Sequence, residues 1–260
     1  MAKALPLLLF VAACTGDRGA PHLARGNVLV NNGKSEEAAA EYREAARLSP
    51  RSDLARERLG DTLFDLRRLD EALLAYRDAA RVAPDSVTAR IGAARVLAER
   101  SDLAGARAEL TAAHERAPTN LYVLLSRGNL AARAGDRKAA LADYQRAVNL
   151  KSTNVAALHQ YGLALLDDGQ LPEAGRTFDR IVQIDPASPT GWYGRARLAA
   201  RSGDAGAAAT ALAEAKRRVP DDARRALVEQ GLKGEALDTR AAEAARRSLA
   251  ELDRDPAFPR

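Results

Sequence analysis

The chain has 260 residues, of which 47% are hydrophobic, 29% charged and only 4% aromatic, with a formal net charge of +5. The prevalence of Ala, Leu, Arg and Glu favours helix at nearly every position, and no alternating β-branched and aromatic run is long enough for a sheet. The basic excess is 34 Arg and 6 Lys interspersed with 35 acidic residues, without a block of like charge or a reader motif, which excludes nucleic acid as the expected partner.

The first element is MAKALPLLLFVAAC, one cation (Lys3), a short apolar stretch and small residues ahead of the only cysteine. That is the layout of a secretory signal, too short to remain as a spanning helix. One cysteine forms no intramolecular disulfide, and this one stands far from any expected core. Val11-Ala12-Ala13-Cys14 resembles the lipobox of bacterial lipoproteins. The resemblance implies removal of residues 1–13 as a signal peptide, acylation of Cys14 (palmitate among the chains) and a lipidated tether over residues 14–20. Thr15, where an Asp would retain the protein in the inner membrane, implies the periplasmic side of an outer membrane. Without Lys3, 39 basic residues face 35 acidic ones, a net charge of +4.

The next elements repeat. Ala38, Ala72, Ala106, Ala140, Ala174 and Ala208 are each 34 residues apart. Tyr42, Tyr76, Leu110, Tyr144, Phe178 and Leu212 keep the same period, as do Gly26, Gly60, Ala94, Gly128, Gly162 and Ala196. Pro50, Pro84, Pro118, Pro186 and Pro220 form a fourth series, with Ser152 at the vacant place. A 34-residue unit of small residue, Ala, aromatic and Pro resembles the tetratricopeptide repeat (TPR). The implied fold is all-α: a right-handed TPR superhelix, or α-solenoid, of about six helix-turn-helix repeats. The repeats fall at about 19–52, 53–86, 87–120, 121–154, 155–188 and 189–222, occupying residues 21–220 overall. In the second, helix A starts near Asp53 after a Ser52 or Asp53 cap, carries Leu59, Gly60 and Leu63 inward and ends near Arg67. Helix B runs from about Asp70 to Val82, presenting Ala72, Tyr76 and Ala79, and Pro84 stops it. Gly33, Gly135, Gly169 and Gly203 fall at the turn between helices, where a left-handed residue is needed. Pro172 suits the first turn of a helix B. Ala94 with Leu110 predicts looser packing in the third repeat. Residues 223–260 are expected to be capping helices and a tail, with helix over 223–232 and 238–252 screening the last repeat.

No catalytic constellation appears. His22, His114 and His159 lie on different elements without companions at metal-ligand spacing, and there is neither a phosphate loop nor a nucleophile elbow. Asp167-Asp168-Gly169 lacks the alternating ligands of a calcium loop. The expectation is a non-enzyme with no metal, cofactor or small-molecule substrate, because repeats and caps occupy nearly the whole chain.

Function is therefore expected on surfaces. In TPR proteins helix A of each repeat builds the concave face, which commonly binds peptides or partner segments. The register places Asn27, Asn31, Glu57, Asp61, Phe64 and Asp65 there, followed by Arg95, Tyr122, Asn129 and Arg133. His159, Tyr193, Arg197 and Arg201 complete the set. Only Asn27 matches the Lys and Asn clamp of chaperone-binding relatives, which argues against that role. The face is acidic early and basic late, suiting an extended protein segment with its charges in the opposing order. Charge reversal at Arg197 and Arg201 should weaken such a partner in a salt-dependent way. A lipobox, about six repeats and a helical cap resemble lipoproteins of Tad/Flp-type pili and type IV pilotins. The implied role is a membrane-anchored scaffold in pilus or secretion-system assembly. A general periplasmic scaffold, for polysaccharide export or outer-membrane assembly, and a regulatory subunit of an enzyme complex are the alternatives.

Overall fold

The computed structural model describes residues 17–229 and 234–258. The expected signal peptide, residues 1–13, and the expected lipidation site Cys14 lie outside them. The described residues form thirteen helices and no strand. They pair as α1 (Ala20–Asn31) with α2 (Ser35–Leu48), α3 (Asp53–Asp65) with α4 (Leu69–Val82), and α5 (Val87–Glu99) with α6 (Leu103–Arg116). Next come α7 (Leu121–Arg133) with α8 (Arg137–Leu150), α9 (Val155–Asp167) with α10 (Leu171–Ile184), and α11 (Pro189–Arg201) with α12 (Ala205–Glu229). The last helix is α13 (Gly234–Arg254). The chain divides into two compact units at Ser126/Arg127, within α7. In the first unit α3 touches α5, and in the second α9 touches α11, so the leading helices of these successive pairs lie side by side.

Polar side chains begin the helices. Ser52, Ser86 and Asn154 accept from the backbone NH groups of Ala55, Ala89 and Ala157 at 3.3, 3.1 and 2.8 Å. Asp102 and Asp136 do the same for α6 and α8, accepting from Gly105 and Ala139. Each satisfies an NH that the helix itself cannot, a contribution of about 0.5–2 kcal/mol. The turn inside each pair needs one residue in the left-handed region. Gly33, Gly135, Gly169 and Gly203 take it at φ of 76°, 78°, 80° and 80°, but Arg67 (63°) and Ser101 (65°) hold the same turn in the second and third pairs. At Arg67 the turn closes with bonds from Arg67 N to Phe64 O and Arg68 N to Leu63 O, both 2.9 Å, so α3 ends at Asp65.

In four of the six pairs the core is organised around one ring. Tyr42, Tyr76, Tyr144 and Phe178 are buried. A Cβ on Gly60 would approach the Tyr76 ring to 2.8 Å, and one on Gly92, in the following pair, to 2.3 Å. Phe178 is held likewise by Gly162 and Gly194, at 2.5 and 2.1 Å. These rings occupy the space that a glycine on the leading helix leaves open. Where the ring position holds leucine, the small residue grows to match: Ala94 and Leu110 are both buried. The looser packing expected of the third repeat is therefore not seen in burial, because a methyl group on one side compensates a smaller side chain on the other.

The C-terminal part departs from the sequence reading. Pro220 does not end helix B, and α12 continues through it to Glu229. An internal proline removes one helical bond and costs about 3 kcal/mol. Opposing that cost, Ala215 and Val219 are buried just before it, and beyond it Arg225 pairs with Asp185 at 2.9 Å and with Asp222 at 2.7 Å. Of the expected helix 223–232, residues 223–229 belong to the extension of α12 and 230–232 lie outside the described residues; the expected helix 238–252 falls within α13, whose Ala241 and Ala245 are buried.

Candidate functional site: the faces of the leading helices

Asn27, Asp61 and Asn129 occupy equivalent slots, each directly after the small residue that faces the ring. Their side-chain oxygens accept from the hydroxyls of Tyr42, Tyr76 and Tyr144 at 2.8, 2.6 and 2.7 Å. The slot is polar in the three pairs whose ring carries a hydroxyl; where the ring is Phe178, it is Leu163. These residues thus tie the expected partner face to the core. Burial, with the neighbouring Asp143 charge adding to it, pushes the Tyr144 hydroxyl up to about 12, so it remains a donor at neutral pH.

In the first unit Asn27, Asn31, Asp61 and Asp65 come together around a depression of about 280 Å³, with Arg58 and Tyr42. Arg58 is not among the residues the repeat register assigns to this face; its Nη1 lies 3.9 Å from the Asp61 carboxylate across one helical turn. Arg95 reaches back one pair, donating to Asp61 Oδ1 at 3.0 Å and to the Tyr76 hydroxyl at 2.9 Å. Its guanidinium lies 4.3 Å from the centre of the Phe64 ring. Asp61, Phe64 and Arg95, expected to meet a partner separately, form one internal cluster. Burial raises the Asp65 carboxyl above its ordinary value; the Arg95 charge opposes this and Asp61 adds to it. Glu57 accepts from Ser86 Oγ at 2.5 Å. Tyr122 stands apart at 69% exposed.

In the second unit His159 is partly buried, its ring 6.5 Å from Phe178 and 6.2 Å from Tyr193. Burial, then the Arg197 charge, pushes its pKa down to about 4, so the ring is neutral and its buried Nε2 has no hydrogen-bond partner in the protein. Two depressions lie in this unit. One, about 210 Å³, includes His159, Tyr193, Val219, Glu251 and Leu252 in its lining. The other, about 200 Å³, is lined by Leu166, Asp167, Arg197, Ala200, Arg201 and Ala257. Asn129 and Arg133, on α7, line neither of these depressions. The sequence reading expects the C-terminal residues to be capping helices and a tail, and misses that Asp255 meets this face. The Tyr193 hydroxyl donates to Asp255 Oδ2, and Arg197 Nε lies 3.8 Å from the same oxygen. Its only sequence signal is Asp255-Pro-Ala-Phe258, an acid and a rare aromatic placed just after a helix.

Among the described residues no three His, Cys, Asp or Glu side chains group as a metal site, and no helix is long and apolar enough to cross a membrane. The arrangement offers hydrogen bonds, charges and ring faces along stacked helices, as a repeat protein built for association does. The tetratricopeptide repeat family matches residues 23–81, 58–120 and 125–189 in one form and 165–231 in another. The chain belongs to that family. No curated protein matches it in sequence. Among solved structures, PilW, described as a widely conserved type IV pilus biogenesis factor, is 20% identical with a TM-score of 0.66, over 85% of this chain and 97% of that one. PilF of Pseudomonas aeruginosa is 18% identical with a TM-score of 0.64, over 78% and 92%. YrrB, described as a TPR protein with an unusual peptide-binding site, is 22% identical with a TM-score of 0.51, over 78% and 97%. At these identities the likeness establishes the fold.

Proposed function

We propose that the chain is a membrane-anchored, non-catalytic scaffold that holds an extended protein segment during envelope assembly, with pilus or secretion-system biogenesis as the specific setting. The observation that carries this reading is the convergence of register-placed residues into polar depressions on the leading helices, Asn27, Asn31, Asp61 and Asp65 in one unit and Arg197 and Arg201 in the other. Such depressions suit a chain with exposed backbone and alternating charge. The pilus setting draws on the fold shared with PilW, and the anchor on Val11-Ala12-Ala13-Cys14. Two or more acyl chains give stable membrane attachment where one is marginal. Asp17 already accepts hydrogen bonds from Gly19 N and Ser49 Oγ, so an anchored Cys14 would hold the first helix pair close to the bilayer. The test is incorporation of labelled palmitate into the natural chain and Cys14→Ala, with membrane fractionation. Label and membrane association lost together in the variant are the expected outcome; an unlabelled, soluble natural chain would overturn the anchor and the envelope setting.

A further inference from the structure

The last described residues fold back onto the leading helix of the sixth pair. Residues 255–258 form a turn, in which Ala257 N donates to Asp255 Oδ1 at 2.9 Å and Phe258 N to Asp255 O at 3.0 Å. This turn places three groups on α11. The Asp255 carboxylate takes the Tyr193 hydroxyl and faces Arg197. The Phe258 ring stands 6.3 Å from the Tyr193 ring, and Ala257 walls the depression that holds Arg197 and Arg201. The Asp255 side chain is only 7% exposed. A carboxylate stripped of water to that extent is costly unless it is met by donors and positive charge. This face of α11 supplies both, with an aromatic surface beside them. Tyr193, Arg197 and Arg201 are also the residues that the repeat register assigns to the partner-binding face.

We infer that α11 carries a binding site for peptide segments with a carboxylate followed three residues later by an aromatic, and that Asp255–Phe258 is its resident occupant, displaced when an external segment of that chemistry binds. The inference rests on the scaffold reading but adds the place, the chemistry and the gate. Displacement is feasible because the turn lies outside any helix and is held on α11 by a hydrogen bond, a long ion pair and a ring contact, while α13 is packed independently on α12. Burial, then the bond to Asp255, pushes the Tyr193 hydroxyl up to about 12, so it stays a donor for either occupant.

The probe is a fluorescein-labelled peptide of residues 253–260, DRDPAFPR, titrated by anisotropy into the full chain. An occupied site weakens apparent affinity by the fraction of time it is free, so Asp255→Ala with Phe258→Ala should bind about 10- to 100-fold more tightly than the natural chain. Adding Arg197→Glu should remove that gain, as should replacing the peptide's second Asp (the counterpart of Asp255) by Asn or its Phe by Ala, and salt should weaken binding. Equal binding to natural and tail-variant chains, or none to a tail variant with unchanged circular dichroism, overturns the inference. As a check that needs no destabilising change, 4-fluorophenylalanine at position 258 should shift its fluorine resonance when excess unlabelled peptide is added; an unmoved resonance also overturns it. Palmitate labelling reports on the anchor alone, so loss of the envelope setting and loss of this site are separately visible.

Discussion

The ring-and-glycine packing makes a prediction whose sign depends on the partner residue. A Cβ at Gly128 would fall 2.5 Å from Cε1 and 2.7 Å from Cδ1 of the buried Tyr144 ring. Gly128→Ala gains about 1 kcal/mol of helix propensity, but overpacking a buried ring costs about 1–3 kcal/mol. The substitution should therefore be destabilising in the natural chain. Tyr144→Leu alone should cost about 2–4 kcal/mol, through lost burial and the lost hydroxyl bond to Asn129. In the leucine background the clash is gone, so Gly128→Ala should become stabilising by up to about 1 kcal/mol. The pairing already exists in the chain as Ala94 with Leu110, both buried. A double-mutant cycle by urea denaturation, followed by helical circular dichroism, gives the coupling, expected at about 1–3 kcal/mol. Because repeat arrays can unfold piecewise, amide exchange in α7 and α8 should report the same order of variants. Additivity within about 0.5 kcal/mol would refute the packing argument.

Two further outcomes concern a turn and a buried base. Ser101 holds φ at 65° where four equivalent turns use glycine. Ser101→Gly should stabilise by about 0.5–1 kcal/mol net of chain entropy and raise the Tm by about 2–4 °C, while Gly203→Ala should lower it. His159 is kept neutral by burial and then by the Arg197 charge, with its pKa pushed down to about 4 from an ordinary 6.5. The unfolded ring takes its proton first, so this contribution is fully present above about pH 6.5 and is lost as pH falls towards 4, at up to about 1.4 kcal/mol per pH unit. His159→Gln should flatten that part of the urea midpoint profile; an unchanged slope would mean that other groups govern it.

The repeats were legible because a period carries information that no single motif does. Tyr76 and Gly60 are unremarkable alone, yet their recurrence at 34 residues locates the ring, the glycine opposite it and the turn after it. Legibility failed where local rules were outweighed by packing. Arg67 and Ser101 have no glycine signature, yet the turn geometry imposes a positive φ on both. Pro220 reads as a stop, yet buried Val219 and the Arg225–Asp185 pair accompany a helix that runs through it. On the candidate face, register identified Asp61 and Arg95 but not that they bind each other, since a 34-residue separation predicts adjacency of slots and leaves side-chain reach open. Asp255 belongs to no repeat, so periodicity could not point to it.

The bonds from Tyr42, Tyr76 and Tyr144 to Asn27, Asp61 and Asn129 also constrain how such a scaffold changes its taste in partners. A new specificity drafted onto the Asn27 or Asn129 slot orphans a hydroxyl in the interior, so the revision is free only when the ring is rewritten to phenylalanine or leucine at the same stroke; at the Asp61 slot the Tyr76 hydroxyl keeps Arg95 as a partner. Slots without that link, such as those of Asp65 and Arg201, can drift alone. Recognition in this chain would therefore evolve in two tempos, quick along one row of each helix and slow, in paired steps, along the other.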